Sequence, residues 1–190
     1  MSGDYGVEWG SLRTSHGVGV DPGLIRALLY APDAGSGGKA SDQLEGLAFY
    51  SRYLEEAALP VTRVLVDAVC DGECTYWGTV YAMDALVELT YECHSARPEL
   101  DGLDLPDRCR AVVRAHLPRL YQMLDETTDD MVLSNLITIV CNVEDDTPTR
   151  RALLEKLSHR DLEGASKLAL KWAQDDEQER KEKEEKEGQA

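Results

Sequence analysis

The sequence predicts an all-α protein, an α-α superhelix of about four stacked helical hairpins. Three observations lead there: apolar residues recur at helical spacing, short turn signals punctuate them, and no segment alternates with the period of two that a strand requires. The pattern is clearest from Asp104 to Asn142. Pro106 to Leu124 reads as one helix, Asp125-Glu126-Thr127-Thr128 as a tight turn, and Met131 to Val140 as an apolar return helix.

Taken in order, Val7-Glu8-Trp9-Gly10-Ser11-Leu12 opens an N-terminal segment, and Asp21-Pro22 sets a helix start with Pro in the first turn. That helix runs through Leu24, Ile25, Leu28 and Leu29. Pro32 to Gly38 breaks it. The stretch Ala34-Gly35-Ser36-Gly37-Gly38-Lys39 ends in Lys, but a phosphate-binding loop needs Gly where Asp33 stands and Ser or Thr where Ala40 stands. The expectation is a flexible loop. Ser41-Asp42 reads as the cap of a helix carrying Leu44, Leu47, Ser51 and Leu54 on one side and Asp42, Glu45, Arg52 and Glu56 on the other. Pro60 starts another helix through Val64, Leu65 and Val69, which Asp71-Gly72-Glu73 ends.

Trp77-Gly78-Thr79-Val80-Tyr81 leads into a helix expected to reach about Ala96. After the hairpin come an acidic loop, Glu144-Asp145-Asp146, a helix from Pro148 to Leu157, a turn at His159, and a last helix from Asp161 to Trp172. A single domain over 1–173 is therefore expected, followed by a charged tail, 174–190. Within the tail Glu179 with Lys183 and Glu182 with Lys186 are favourable pairs one helical turn apart, so it extends the last helix only fitfully.

Length and composition agree with one domain. The 190 residues are 43% hydrophobic, enough for a real core, with no apolar run near the ~18 to 20 residues that span a membrane. The start, Met1-Ser2-Gly3-Asp4-Tyr5, lacks a basic region followed by an apolar one, so cytoplasmic residence is expected. Cys70, Cys74, Cys93, Cys109 and Cys141 lie mostly in apolar stretches without the paired spacing of a zinc site; they read as reduced core thiols. No metal and no cofactor is expected. The net charge of −16 repels phosphate backbones and argues against nucleic acid as a partner.

The chain resembles the HEAT and armadillo class of α-solenoids, and more narrowly the HEAT-like repeat proteins of actinomycetes. The resemblance rests on Trp9-x-x-Leu12 with His16-Gly17, on Gly78-Thr79-Val80-Tyr81-Ala82 opening a helix, and on Leu117-Pro118-x-Leu120-x-x-Met123-Leu124-Asp125 before a second helix. First helices of such repeats often carry a Pro that bends them and an Asp at their end, as Pro118 and Asp125 do; Leu133 stands where the second helix usually has Arg. Independently of any family, Pro118 removes one helix hydrogen bond and is expected to bend the helix rather than end it.

Function in such a stack falls to the exposed ridge. On the helix after Gly78, Asp84, Glu88 and Glu92 form a stripe beside Tyr91, while Val80, Met83, Leu86, Val87 and Leu89 supply the buried side. Like charges one turn apart cost ~0.2 to 0.5 kcal/mol per pair, which a basic partner would relieve. Tyr50, Tyr53, Tyr76, Trp77, Tyr81 and Tyr91 concentrate in the same region, and Tyr and Trp dominate interface hot spots. Half-buried tyrosines and a solvated acidic face are the bland readings of the same residues. The expected partner-binding set is Tyr53, Trp77, Tyr81, Asp84, Glu88, Tyr91 and Glu92.

Signs of catalysis are weak. Cys93 and His94 are adjacent and point apart on a helix, and His16, His94, His116 and His159 are scattered without metal spacing. The expectation is a non-catalytic protein-binding module, most specifically an inhibitor or immunity-type protein that neutralises a basic partner such as a toxin nuclease. A scaffold or regulatory adaptor with a neutral partner, and an enzyme or small-molecule site in the groove, are the alternatives. The charge yields a direct expectation: no DNA or RNA binding near physiological salt, against which a gel shift that weakens with added salt would count.

Overall fold

Asp21, Asp33, Thr75 and Asp129 each accept a hydrogen bond from a backbone N–H two or three residues on, and each marks a helix start. A computed structural model of the chain describes residues 6–14, 16–91 and 93–187. Its helices are α1 (Pro22–Leu29), α2 (Ala34–Ala48), α3 (Ala58–Asp71), α4 (Tyr76–Thr90), α5 (Leu105–Arg114), α6 (Leu117–Glu126), α7 (Asp130–Val143), α8 (Thr147–Ser158) and α9 (Gly164–Glu187). Among the described residues no helix is long and apolar enough to cross a membrane.

Polar contacts order these helices. Tyr81 of α4 sits on Gly37 and Gly38 of α2, and farther along both helices Glu45 lies close enough to Glu88 to affect its ionisation. Between α4 and α7, Tyr76 Oη donates to Asp129, Asn135 Nδ2 to Asp84 and Asn142 Nδ2 to Thr90, at sequence separations of 53, 51 and 52. Between α7 and α9, Ala165 N and Ser166 N donate to Asp130 at the start of α7, and farther along both helices Thr138, Cys141 and Asn142 line one cavity with Ala169, Trp172 and Ala173. Partners that advance together mean neighbours that run the same way, so α2, α4, α7 and α9 form a row of parallel helices. Behind them α1 packs on α2 and α4, α3 on α4 and α5, α5 on α4 and α7, and α8 on α9. The core between is apolar and closed, with Leu65, Met83, Leu86, Leu89, Leu136 and Ile137 all fully buried.

Several expectations are corrected. Strands do occur. Arg13–Thr14 (β1) pairs antiparallel with Gly17–Val18 (β2); Phe49–Tyr50 (β3) pairs antiparallel with Tyr53–Leu54 (β4), which pairs parallel with His94–Ser95 (β5). Each is two residues long, too short for alternation to register in the sequence. The β3–β4 connection is Ser51-Arg52, both in the left-handed region at φ 45° and 72°. Such two-residue hairpins ordinarily announce themselves with Asn-Gly.

The same sheet shortens two helices. α2 stops at Ala48 instead of running past Leu54, and α4 stops at Thr90 instead of Ala96, because His94 N donates to Arg52 O and Ala96 N to Leu54 O. Cys93 and His94 are therefore not on a helix. Cys93 is buried with its thiol donating to Glu88 O, while His94 lies in β5.

The glycine-rich stretch is not a loop. It forms the first turns of α2, capped by Asp33, so that Ser41 and Asp42 lie inside the helix rather than before it. A Cβ at Gly37 would stand 2.3 Å from Tyr81 Cδ2, so the glycines permit the close approach of α2 to α4. The expected helix from Pro106 to Leu124 is also two. It breaks at Ala115-His116, and Pro118 sits in the first turn of α6, where its missing N–H costs nothing. Finally, α9 continues through the charge run to Glu187. Glu177 turns inward and accepts from Arg150 Nε and Arg151 Nε at 2.7 and 2.5 Å, and Arg150 Nη1 donates to Glu144 O.

α4 enters the stack at one tight junction. Gly78 is so close to α1 that a Cβ there would stand 1.9 Å from Leu29 O, a backbone atom that cannot move aside. Gly78→Ala should lower stability in urea unfolding, since overpacking of about 1–3 kcal/mol or more exceeds the ~1 kcal/mol of helix propensity gained. At Gly35 a Cβ would meet only Asp33 Oδ1, at 3.5 Å. Gly35→Ala should stabilise by a few tenths to about 1 kcal/mol. Equal effects at the two sites would contradict the packing described.

Candidate functional site

Helical periodicity places Trp77, Tyr81, Asp84, Glu88 and Tyr91 on one face of α4, since alternating steps of four and three residues return to the same side. α2 flanks this face on one side and α7 on the other. The face is the floor of a groove. Trp77 and Tyr81 are half-buried and the two carboxylates are exposed. At one end the Trp77 ring meets Tyr76 edge-on at 5.0 Å and Tyr81 at 6.3 Å between ring centres. Much of Tyr81 is spent on the contact with Gly37 and Gly38. At the other end the Arg52 guanidinium lies 4.3 Å from the centre of the Tyr91 ring, a cation–π contact. Tyr53 belongs to the hairpin, exposed on β4 with His94 6.1 Å from its ring. Glu92 lies outside the described residues.

The floor is acidic. Asp84 accepts from Asn135 Nδ2 at 2.7 Å, and among the described residues Glu45, Asp84 and Glu88 make no ion pair. Both α4 carboxylates reach solvent, yet the flanking helices remove part of their hydration. That desolvation raises the Asp84 carboxyl above its ordinary range, with Asn135 opposing it. For Glu88, desolvation again leads, Glu45 and Asp84 add repulsion, and Arg52 alone opposes.

Sequence reasoning missed four members of this region. In the sequence Glu45 reads as part of a solvated helix face, and Arg52 reads as part of the same helix although it stands at a left-handed hairpin position. Asn135 and Trp172 carry no motif; only the parallel packing of α4, α7 and α9 brings them near. Beyond Tyr91 lie two cavities. One, of about 300 Å³, lies against α7 and α9 and includes Trp172. The other, of about 1020 Å³, opens toward α5 and α9 and gathers Arg108, Arg110, Arg114 and Arg180. Two of these four are answered internally, Arg110 by Asp107 and Arg114 by Asp145.

The five thiols are held in their neutral form. Burial pushes the thiols of Cys70, Cys74 and Cys109 to about 11 and those of Cys93 and Cys141 to about 12, so all are neutral near pH 7. Among the described residues no three His, Cys, Asp or Glu side chains converge as a metal site would require. Comparison with protein-family models, curated proteins and solved structures gives no match.

The raised Glu88 pKa has a definite sign. A carboxyl whose folded pKa exceeds its unfolded value binds more protons in the folded state, so its contribution to stability falls as pH rises through the folded pKa. Glu88→Gln should therefore raise Tm at pH 7.5. The gain should shrink as pH is lowered to where Glu88 itself protonates. A Tm difference that stays constant from pH 7.5 to 4.5 would contradict the assignment.

Proposed function

We propose that the chain is a non-catalytic protein-binding module of the α-solenoid kind. In this reading α1/α2, α3/α4, α5–α6/α7 and α8/α9 are successive hairpins, in HEAT-like manner, and the parallel row α2, α4, α7, α9 is the inner face. The row's parallel order supports it, because stacked hairpins bring every second helix into register with the next.

One observation carries the functional reading: unpaired carboxylates share the floor of a groove with Trp77, Tyr81 and Tyr91. A basic partner would supply the cations that Glu45, Asp84 and Glu88 lack, and the aromatics would supply apolar contact area. The most specific form is an inhibitor or immunity-type protein that covers the cationic substrate cleft of a basic toxin such as a nuclease. The large charged cavity beside Tyr91 is the feature that favours a small-molecule site instead. Its arginines, however, are partly neutralised by Asp107 and Asp145.

The test is paired capture. Wild-type protein and the variant Asp84→Lys/Glu88→Lys, each verified as folded by circular dichroism, are immobilised and exposed to a lysate of the source cells. The wild type should retain a basic protein, release it with added salt, and inhibit its activity once purified; the variant should bind at least tenfold more weakly, mainly through slower association. A retained protein that is not basic, or that binds both forms at the same rates, would overturn the proposal.

A further inference from the structure

The smaller cavity, at the Tyr91 end of the groove, has a composition suited to one chemical class. Two aromatic rings line it, Tyr91 from the end of α4 and Trp172 from α9. Ala169, Ala173 and Cys141 form apolar surface within it, and Asp175 and Asp176 stand at its lining. Among the described residues neither aspartate makes an ion pair. Trp172 is 60% exposed, so its ring is accessible from solvent.

An electron-rich ring, an apolar wall and a carboxylate are together what an alkylammonium group needs. Its methylenes lie on the apolar surface, its charge meets ring faces, and its N–H groups find acceptors. The Arg52 guanidinium lies 4.3 Å from the centre of the Tyr91 ring and occupies one face of it, so a ligand would use the opposite face. The volume of about 300 Å³ is ample for a four-carbon ammonium chain. We infer that this pocket receives a lysine side chain of the protein partner, seated between Tyr91 and Trp172 with its ammonium at Asp175 and Asp176. This rests on the protein-binding reading for its natural ligand, and it extends the contact from the α4 floor onto α9.

The pocket can be tested without the partner. The probe is n-butylammonium chloride at constant ionic strength, with n-butanol as its neutral counterpart, followed by the Trp172 indole N–H resonance, which Trp172→Phe assigns. Butylammonium should shift that resonance saturably, butanol should bind at least tenfold more weakly, and Asp175→Asn/Asp176→Asn should weaken butylammonium at least tenfold. Both aspartates are exposed, so this variant should keep its fold, which the unchanged remainder of the spectrum verifies. No saturable shift, equal binding of butanol, or unchanged binding by the variant would overturn the inference. Repeating the titration on Asp84→Lys/Glu88→Lys separates the two proposals. If the groove reading fails in the capture experiment, butylammonium still binds; if only the pocket fails, capture of a basic protein by the groove persists.

Discussion

The structure depends on the approach of α4 to the end of α1, and on a single threonine that makes this approach possible. Thr75 N donates to Leu29 O at 3.1 Å, Thr75 Oγ1 donates to Ala31 O at 2.7 Å, and the same oxygen accepts from Gly78 N at 3.1 Å. One residue thus satisfies carbonyls at the end of α1 and an N–H at the start of α4. Helix ends leave such groups without intrahelical partners, and burying them unpaired costs about 1–3 kcal/mol each. The absence of a Cβ at Gly78 lets the two backbones come close enough for these bonds. Because α4 also packs on α2, α3, α5 and α7, its placement at this junction sets the position of every neighbour.

From that junction follows the character of the groove. α2 reaches α4 through Gly37 and Gly38, and helix-interior glycine costs roughly 0.5–1 kcal/mol relative to alanine. The close contact with Tyr81 offsets this. The carboxylates receive no such compensation: Glu88 is flanked by Glu45 and Asp84, and its nearest opposing charge, Arg52, is engaged with Tyr91 and held in left-handed backbone. Left-handed backbone at a residue other than glycine costs on the order of 1 kcal/mol. Local cost is thus concentrated on the α4 face and the adjoining hairpin, above a core of buried apolar side chains.

At the far end of the row charge adds to apolar packing, since Leu153, Leu154, Leu157, Ala169 and Leu170 are buried there as well. Glu177 and Arg150 are 9% and 5% exposed, and their pairing ties the outer part of α9 to α8. Burial by itself pushes the Glu177 carboxyl up, but the hydrogen bonds from Arg150 and Arg151 outweigh it and hold the group below its ordinary range. Their contribution is present above the unfolded carboxyl pKa and is lost as pH falls through the lower folded value. This clamp keeps α9 helical beyond Trp172, which in turn places Asp175 and Asp176 beside the pocket.

The sequence by itself determined where most helices lie and which faces they bury. Apolar periodicity, Asp21-Pro22 and Gly72 are local signals, and a helix is closed by hydrogen bonds between residues four apart. It likewise made legible the Trp77, Tyr81, Asp84 and Glu88 face, which follows from spacing along one helix. Only tertiary structure decided the rest. The two-residue strands β4 and β5 pair residues 41 positions apart in chain order, Tyr53 with His94 and Leu54 with Ser95, through backbone atoms that carry no side-chain signature. Gly37 reads as a loop former until a tyrosine from another helix requires the space, and Glu177 reads as one more charge in a solvated run until Arg150 and Arg151 are brought to it. Trp172 becomes part of a pocket only because α9 runs parallel to α7. In each case the deciding partner is distant in sequence, and its proximity is a property of the packed helices, not of any segment alone.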